Sequence, residues 1–282
     1  MLAIELCKFD TKSITIGEYK MSAEAKKFYA SNYQMRRNLK ALDANEYPGR
    51  GIVLGRDEQD DLVEAYWVEG RSPNSRNRVL AEKDDTSIET VAHDPSKVED
   101  PSLIIYNAMR SRRHGEGVLH IVSNGDQTDT VYETASHKKI LRPSDAFCEA
   151  LFKREFEPDD PNFTARITGS VAVGSAFNQY NYSIIRRNPV TGQPEHTFGG
   201  GQLADIPAGA GLCFHTYERN GNPLPTFEAG PYAVPMGINA NEIAEELWDS
   251  LNDQNRVGLA VRTFDSKSGE IKATRIINQL EN

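Results

Sequence analysis

The sequence predicts an α+β fold in which antiparallel or mixed sheets are covered by a few helices. Three observations lead there. From Tyr47 onward, short apolar runs with alternation recur, each bounded by Gly, Pro, Asn or Asp, as strands usually are. Only two stretches in that region, after Ser144 and near Asn239, carry a strong helical pattern. The elements come in blocks without strict βαβ alternation, which disfavours a doubly wound parallel sheet.

Taken in order, the first 45 residues read as an N-terminal extension, with a short strand over 14–20 and a helix over 23–42 rich in Ala, Lys, Met and Leu. Met21 offers an alternative start within it. Residues 46–282 form a single domain. Its strands are expected at 51–55, 62–68, 103–109, 118–122, 166–173, 181–187, 211–217, 256–264 and 271–276. Ser144 is the expected N-cap of a helix over 145–154, and Asn239 or Asn241 of a second running to about residue 253. A third helix is placed at 128–139. The Gly199-Gly200-Gly201 run reads as a flexible turn, because it lacks the Lys-Ser/Thr ending of a phosphate-binding loop.

Composition narrows the function. The chain has 282 residues, 38% of them hydrophobic, as expected of a water-soluble globule. No apolar run approaches the roughly 20 residues that span a bilayer. The opening MLAIELCKFD mixes acid and base, unlike a secretory signal. A net charge of −9 argues against wrapping a nucleic-acid polymer but not against a small phosphorylated ligand. Three cysteines without CxxC spacing fit a reducing, cytoplasmic compartment. Six singly scattered histidines give no metal-ligand spacing, so no metal is expected.

Several polar constellations stand out. Gly70-Arg71-Ser72-Pro73-Asn74-Ser75-Arg76-Asn77-Arg78 places three arginines in an otherwise acidic neighbourhood. Guanidinium forks match phosphate oxygens, and Ser/Asn groups with loop amides complete such a cradle. In 104–110, strict alternation puts Tyr106 and Arg110 on one face, and Asn107 on the other. The 121–130 run ends a strand in a turn dense with polar groups. Glu157 and Thr164-Ala165-Arg166 offer an acid/base group and an anion contact, and His215-Thr216-Tyr217-Glu218 a pocket wall.

Read together, PGRG (48–51), GRD (55–57), GRSPNSRNRV (70–79), IIYNAMR (104–110), IVSNGDQTDT (121–130), FTARI (163–167) and FHTYE (214–218) resemble the archaeal-type IMP cyclohydrolase family. They are collinear over 47 to about 232, and IIYNAMR and SNGDQTDT are the most specific. The resemblance implies a layered αββα sandwich like that of the N-terminal-nucleophile hydrolases, without their N-terminal nucleophile. It also implies cofactor-free closure of 5-formamidoimidazole-4-carboxamide ribonucleotide (FAICAR) to IMP and water in purine biosynthesis, and a homo-oligomer. Carried over residue by residue, Arg76 and Tyr106 sit at the reacting end, with Glu157 the proton carrier and Glu155 its alternative. Arg50, Arg71, Asn107, Arg110, Ser123, Asn124 and Arg166 hold the phosphate, ribose or base. Ala165 departs from the family, which places proline there. The extension and the 189–200 insert are expected to remodel the pocket mouth or an oligomer interface. Two rival readings are an amide hydrolase of the same fold, which would need an activated Ser, Thr or Cys, and a purine-nucleotide-binding protein without turnover.

Overall fold

A strand covered on both faces needs side chains that tolerate burial at every position, and β4 (Leu62–Glu69) is buried at all of them. Leu62, Tyr66 and Val68 enter one core cluster, whereas Val63, Ala65 and Trp67 enter another on the opposite face. That split defines the layers. The computed structural model describes residues 15–16, 19–20, 23–98, 101, 104–137, 142–174 and 177–280, with side chains from residue 31 onward.

The first described elements are a small ribbon, β1 (Thr15–Ile16) and β2 (Tyr19–Lys20), then α1 (Ala23–Asp43), β3 (Gly51–Arg56) and β4. A single helical turn, α2 (Pro73–Arg76), leads to β5 (Arg78–Asp84), β6 (Ser87–Ala92), β7 (Tyr106–His114) and β8 (Gly117–Ser123). Helices α3 (Gln127–His137) and α4 (Pro143–Leu151) precede β9 (Arg166–Gly174), β10 (Phe177–Arg187), β11 (Pro194–Gln202), β12 (Ala210–His215) and β13 (Tyr232–Pro235). The chain closes with α5 (Ala240–Asp249), β14 (Arg256–Phe264) and β15 (Ile271–Asn278).

Besides the β1-β2 ribbon, the described strands form two antiparallel sheets, one ordered β11-β10-β9-β8-β7-β6-β5 and the other β13-β12-β3-β4-β14-β15. Between them lies a core that takes Ile52, Leu54 and Tyr66 from one sheet and Ile88, Met109, Val122 and Ile167 from the other. Truncating such a side chain costs about 2–5 kcal/mol. Outside the six-stranded sheet, Leu39 and Leu42 of α1 and Ile243, Ala244 and Leu247 of α5 pack on Trp67 and Val261. Outside the seven-stranded sheet, Val131 and Ala135 of α3 and Phe147 and Leu151 of α4 pack on Leu119 and Ile121. The fold is therefore α+β, layered αββα. No helix among the described residues is long and apolar enough to cross a membrane.

Several local expectations are corrected. The strand expected at 103–109 runs from Tyr106 to His114, with Ile104 in a turn and residue 103 outside the described residues. A β-bulge is the reason that alternation fails there. Met109 pairs with Ile88 and Asn107 with Glu89, which leaves Ala108 as the extra residue. Tyr106 and Met109 consequently face the inter-sheet core, and Asn107 and Arg110 both face α3. The triple glycine is no turn. It lies within β11, where a Cβ at Gly199 would fall 2.2 Å from Cζ of Tyr182 on the neighbouring strand. The glycines make room for the tyrosines of β10, so the 189–200 insert is the turn and returning arm of a hairpin. Helix α4 starts at Pro143, with Arg142 and not Ser144 at the N-cap, and it ends at Leu151. Asn239 does cap α5, accepting from the amides of Asn241 and Glu242.

Candidate active site

Strand ends from both sheets converge at one end of the sandwich: the start of β3, the end of β4, and the starts of β5, β7 and β9. Between them lies a cleft of about 340 Å³. Its walls come from Tyr47, Gly49 and Arg50 before β3, Glu69 ending β4, and Arg71, Ser72, Asn74, Ser75 and Arg78 around α2. Glu157, Asp159, Asn162 and Thr164 before β9 face them, with Ile104, Tyr217 and Leu224 completing the wall.

The PGRG turn sets the floor. Gly49 has φ +78°, and a Cβ there would meet Thr216 Oγ1 at 2.3 Å, so only glycine fits. The next residue, Arg50, sends its guanidinium across to the other sheet. Nη1 donates to the Asn124 carbonyl at 2.7 Å and to Glu157 Oε1 at 2.9 Å, while Nη2 donates to Glu157 Oε2 at 2.6 Å. Arg50 is 8% exposed and Glu157 3%, so this fork is shielded from solvent. Burial works against the Arg50 charge, but the Glu157 carboxylate, Tyr106 and Tyr66 together outweigh it and push the guanidinium pKa up. The Glu157 amide donates to the Thr164 carbonyl at 2.9 Å, which ties its loop to the start of β9.

Behind Arg50, the hydroxyls of Tyr66 and Tyr106 lie 2.5 Å apart and join the two sheets. Both interact electrostatically with Arg50. Burial pushes the Tyr66 hydroxyl well above its ordinary value, with Tyr106 adding to the effect.

The arginine-rich segment is more ordered than an irregular cradle. Ser72 and Ser75 form a reciprocal capping box around Pro73, which closes the single turn of α2. That turn sorts the arginines. Arg71 and Arg78 line the cleft, whereas the exposed Arg76 donates to the Gly70 carbonyl at 2.9 Å and to Asn255 Oδ1 at 3.1 Å. Arg71 donates to Asn220 Oδ1 at 2.7 Å and lies 4.8 Å over the Tyr47 ring. Arg78 Nε donates to the Ser75 carbonyl at 2.8 Å.

The remaining sequence-named residues lie around the cleft and not in its wall. Asn124 joins β8 to β9, its Nδ2 donating to the Ala165 carbonyl and its Oδ1 accepting from the Ile167 amide, at 2.8 and 2.9 Å. Ser123 is buried and donates to the Gly125 carbonyl at 2.9 Å. Arg166 donates to Asp126 Oδ1 at 2.8 Å and to Gln127 Oε1 at 2.9 Å. Asn107 and Arg110 share the Asp129 carboxylate, and Arg110 lies 3.4 Å over the Tyr132 ring. Of the two candidate proton carriers, Glu157 lines the cleft and Glu155 is exposed. Sequence reasoning missed Tyr47, Glu69, Asp159 and Asn162. Arg78 was visible as the last arginine of its segment, but Glu69 carries no motif signal.

A family model described as IMP cyclohydrolase-like protein matches residues 47–268. The chain belongs to this family. Every residue that lines the cleft falls inside the matched range, which begins at Tyr47 on its wall. The IMP cyclohydrolase of Methanococcus aeolicus (strain ATCC BAA-1280 / DSM 17508 / OCM 812 / Nankai-3) is 24% identical over 225 residues, covering 78% of this chain and 96% of that protein.

In this IMP cyclohydrolase-like chain the cleft holds Arg50, Arg71 and Arg78 against Glu69, Glu157 and Asp159. Arg71 and Arg78 give only part of their donors to neutral carbonyl and amide oxygens, so they retain capacity for an anion. The fork at the floor joins a proton acceptor to a cation. Among the described residues no group of three or more His, Cys, Asp or Glu could hold a metal ion. The arrangement suits positioning, charge stabilisation and proton transfer on a phosphorylated ligand.

Proposed function

We propose that this protein is an IMP cyclohydrolase that closes FAICAR to IMP and water. The observation that supports it most is the Arg50–Glu157 fork at the floor of an arginine-lined cleft, within the range matched by the family.

The reaction needs no redox group or covalent nucleophile. The carboxamide nitrogen attacks the formyl carbon, forming the new C–N bond. Its proton leaves to a base, and the formyl oxygen gains one to give a carbinolamine. Loss of that hydroxyl as water, with the proton of the formamido nitrogen, yields the pyrimidinone ring of IMP. Glu157 is the group placed to accept and return the proton. Arg50 keeps the carboxylate oriented and supports negative charge on the formyl oxygen. The Tyr66–Tyr106 hydroxyl pair behind them polarises the same end of the site. Arg71 and Arg78 hold the 5′-phosphate, with Ser72, Asn74 and Ser75 on the rim. Incubation with FAICAR while following IMP absorbance tests the reading. Stoichiometric IMP formation is expected, and binding without conversion would reduce the protein to a nucleotide-binding member of its family.

A further inference from the structure

The two glutamates of the cleft are held in opposite ways. Glu157 gives both oxygens to Arg50. Glu69 is equally buried, at 2% exposure, and shares the cleft with three arginines. Their hydrogen bonds go elsewhere: Arg50 to Glu157 and Asn124, Arg71 to Asn220 and Gly221, and Arg78 to the backbone carbonyls of Ser75 and Glu69. Glu69 Oε2 accepts from the Gly49 amide at 3.1 Å, whereas its buried Oε1 meets no donor in hydrogen-bond geometry, the Asn252 amide only lying nearby. An ionised carboxylate at this position would draw a guanidinium or face a large desolvation cost. Burial pushes the Glu69 carboxyl well above the usual carboxylate range, and the backbone amides of Gly49 and Asn252 only partly oppose this.

We infer that Glu69 is a further substrate-binding residue, whose carboxyl donates a hydrogen bond to a phosphate oxygen of the nucleotide held by Arg71 and Arg78. The inference rests on the proposed function for the identity of the ligand. A protonated carboxyl next to a phosphate adds a short, charge-assisted hydrogen bond, and an ionised one would repel the phosphate. Nucleotide affinity is therefore tied to the Glu69 proton and declines as pH rises through its pKa. The other groups facing the cleft are Tyr47 and Arg50 before β3, Arg71 and Arg78 beside α2, Glu157 and Asp159 before β9, and Tyr217 after β12. Burial pushes the hydroxyls of Tyr47 and Tyr217 up, so neither ionises near neutral pH.

Calorimetric titration of the full chain with IMP, from neutral to alkaline pH, compares the native protein with Glu69→Gln. The amide keeps a donor and cannot ionise. The native Kd is expected to weaken by about tenfold per pH unit above the Glu69 pKa, relative to a flat Glu69→Gln curve. Parallel curves would overturn the role of Glu69 alone. A native protein that binds no IMP at any pH would overturn both this inference and the proposed function. If Glu69→Gln does not fold, native protein labelled at glutamate Cδ decides the matter. IMP must shift a carboxyl resonance that titrates above the usual carboxylate range, and the absence of such a resonance overturns the assignment.

Discussion

Arg50 and Glu157 meet across the gap between the two sheets, with Nη1 to Oε1 at 2.9 Å and Nη2 to Oε2 at 2.6 Å. The contact links the two sheets and lies at the floor of the cleft. A buried pair is costly to break from one side, because the surviving charge stays in a poor solvent.

Glu157→Ala is expected to lower stability by about 3–5 kcal/mol, since Arg50 is left buried without its partner. Urea unfolding checks this. A loss below about 1 kcal/mol would show that the pair is solvated in solution.

Tyr66 and Tyr106 predict a non-additive result. Tyr106→Phe leaves the Tyr66 hydroxyl buried without its partner, at a cost of about 1–3 kcal/mol. The double variant Tyr66→Phe/Tyr106→Phe removes both hydroxyls, so its loss should be smaller than the sum of the two single losses. Tyr106→Phe should also lower kcat while IMP affinity stays nearly intact, because the ring remains in the core. Strictly additive stabilities would mean that the hydroxyls do not depend on each other.

Glu64 predicts a pH dependence of stability. It is buried in β4 opposite Arg262 of β14, and burial pushes its carboxyl up to about 8. In the unfolded chain it ionises near its ordinary value of about 4.3. The unfolded state therefore releases a proton that the folded state keeps. The contribution of Glu64 to stability is full below about 4.3 and is lost as pH rises towards about 8. Glu64→Gln should remove that decline and leave the protein more stable at neutral pH, by on the order of 1–3 kcal/mol. Unfolding free energies at several pH values test it, and an unchanged slope would contradict it.

Much of the layering was legible because β4, β8, β9 and β14 are apolar or alternating runs with clear boundaries. The β5–β6 hairpin was not, since Glu82, Lys83 and Asp84 give half of β5 the look of a loop. Within the site, the sequence brought the right segments forward, but side-chain direction depends on local geometry that composition does not encode. The bulge at Ala108 turns Arg110 to the side of Asn107, and the single turn of α2 points Arg76 towards Asn255. Glu69 shows a different limit. It reaches the cleft only because the Gly49 turn and the arginine segment around α2 are folded beside the end of β4, and no motif announces that.

The most direct test of the account is a single-turnover measurement with FAICAR on the native protein and Glu157→Gln, with IMP binding measured in parallel. The native protein should convert FAICAR to IMP. Glu157→Gln should bind IMP but convert FAICAR at least about 10²-fold more slowly, as expected when a positioned proton carrier is lost. Equal rates in the two proteins, or a native protein that binds IMP without forming it from FAICAR, would contradict the account.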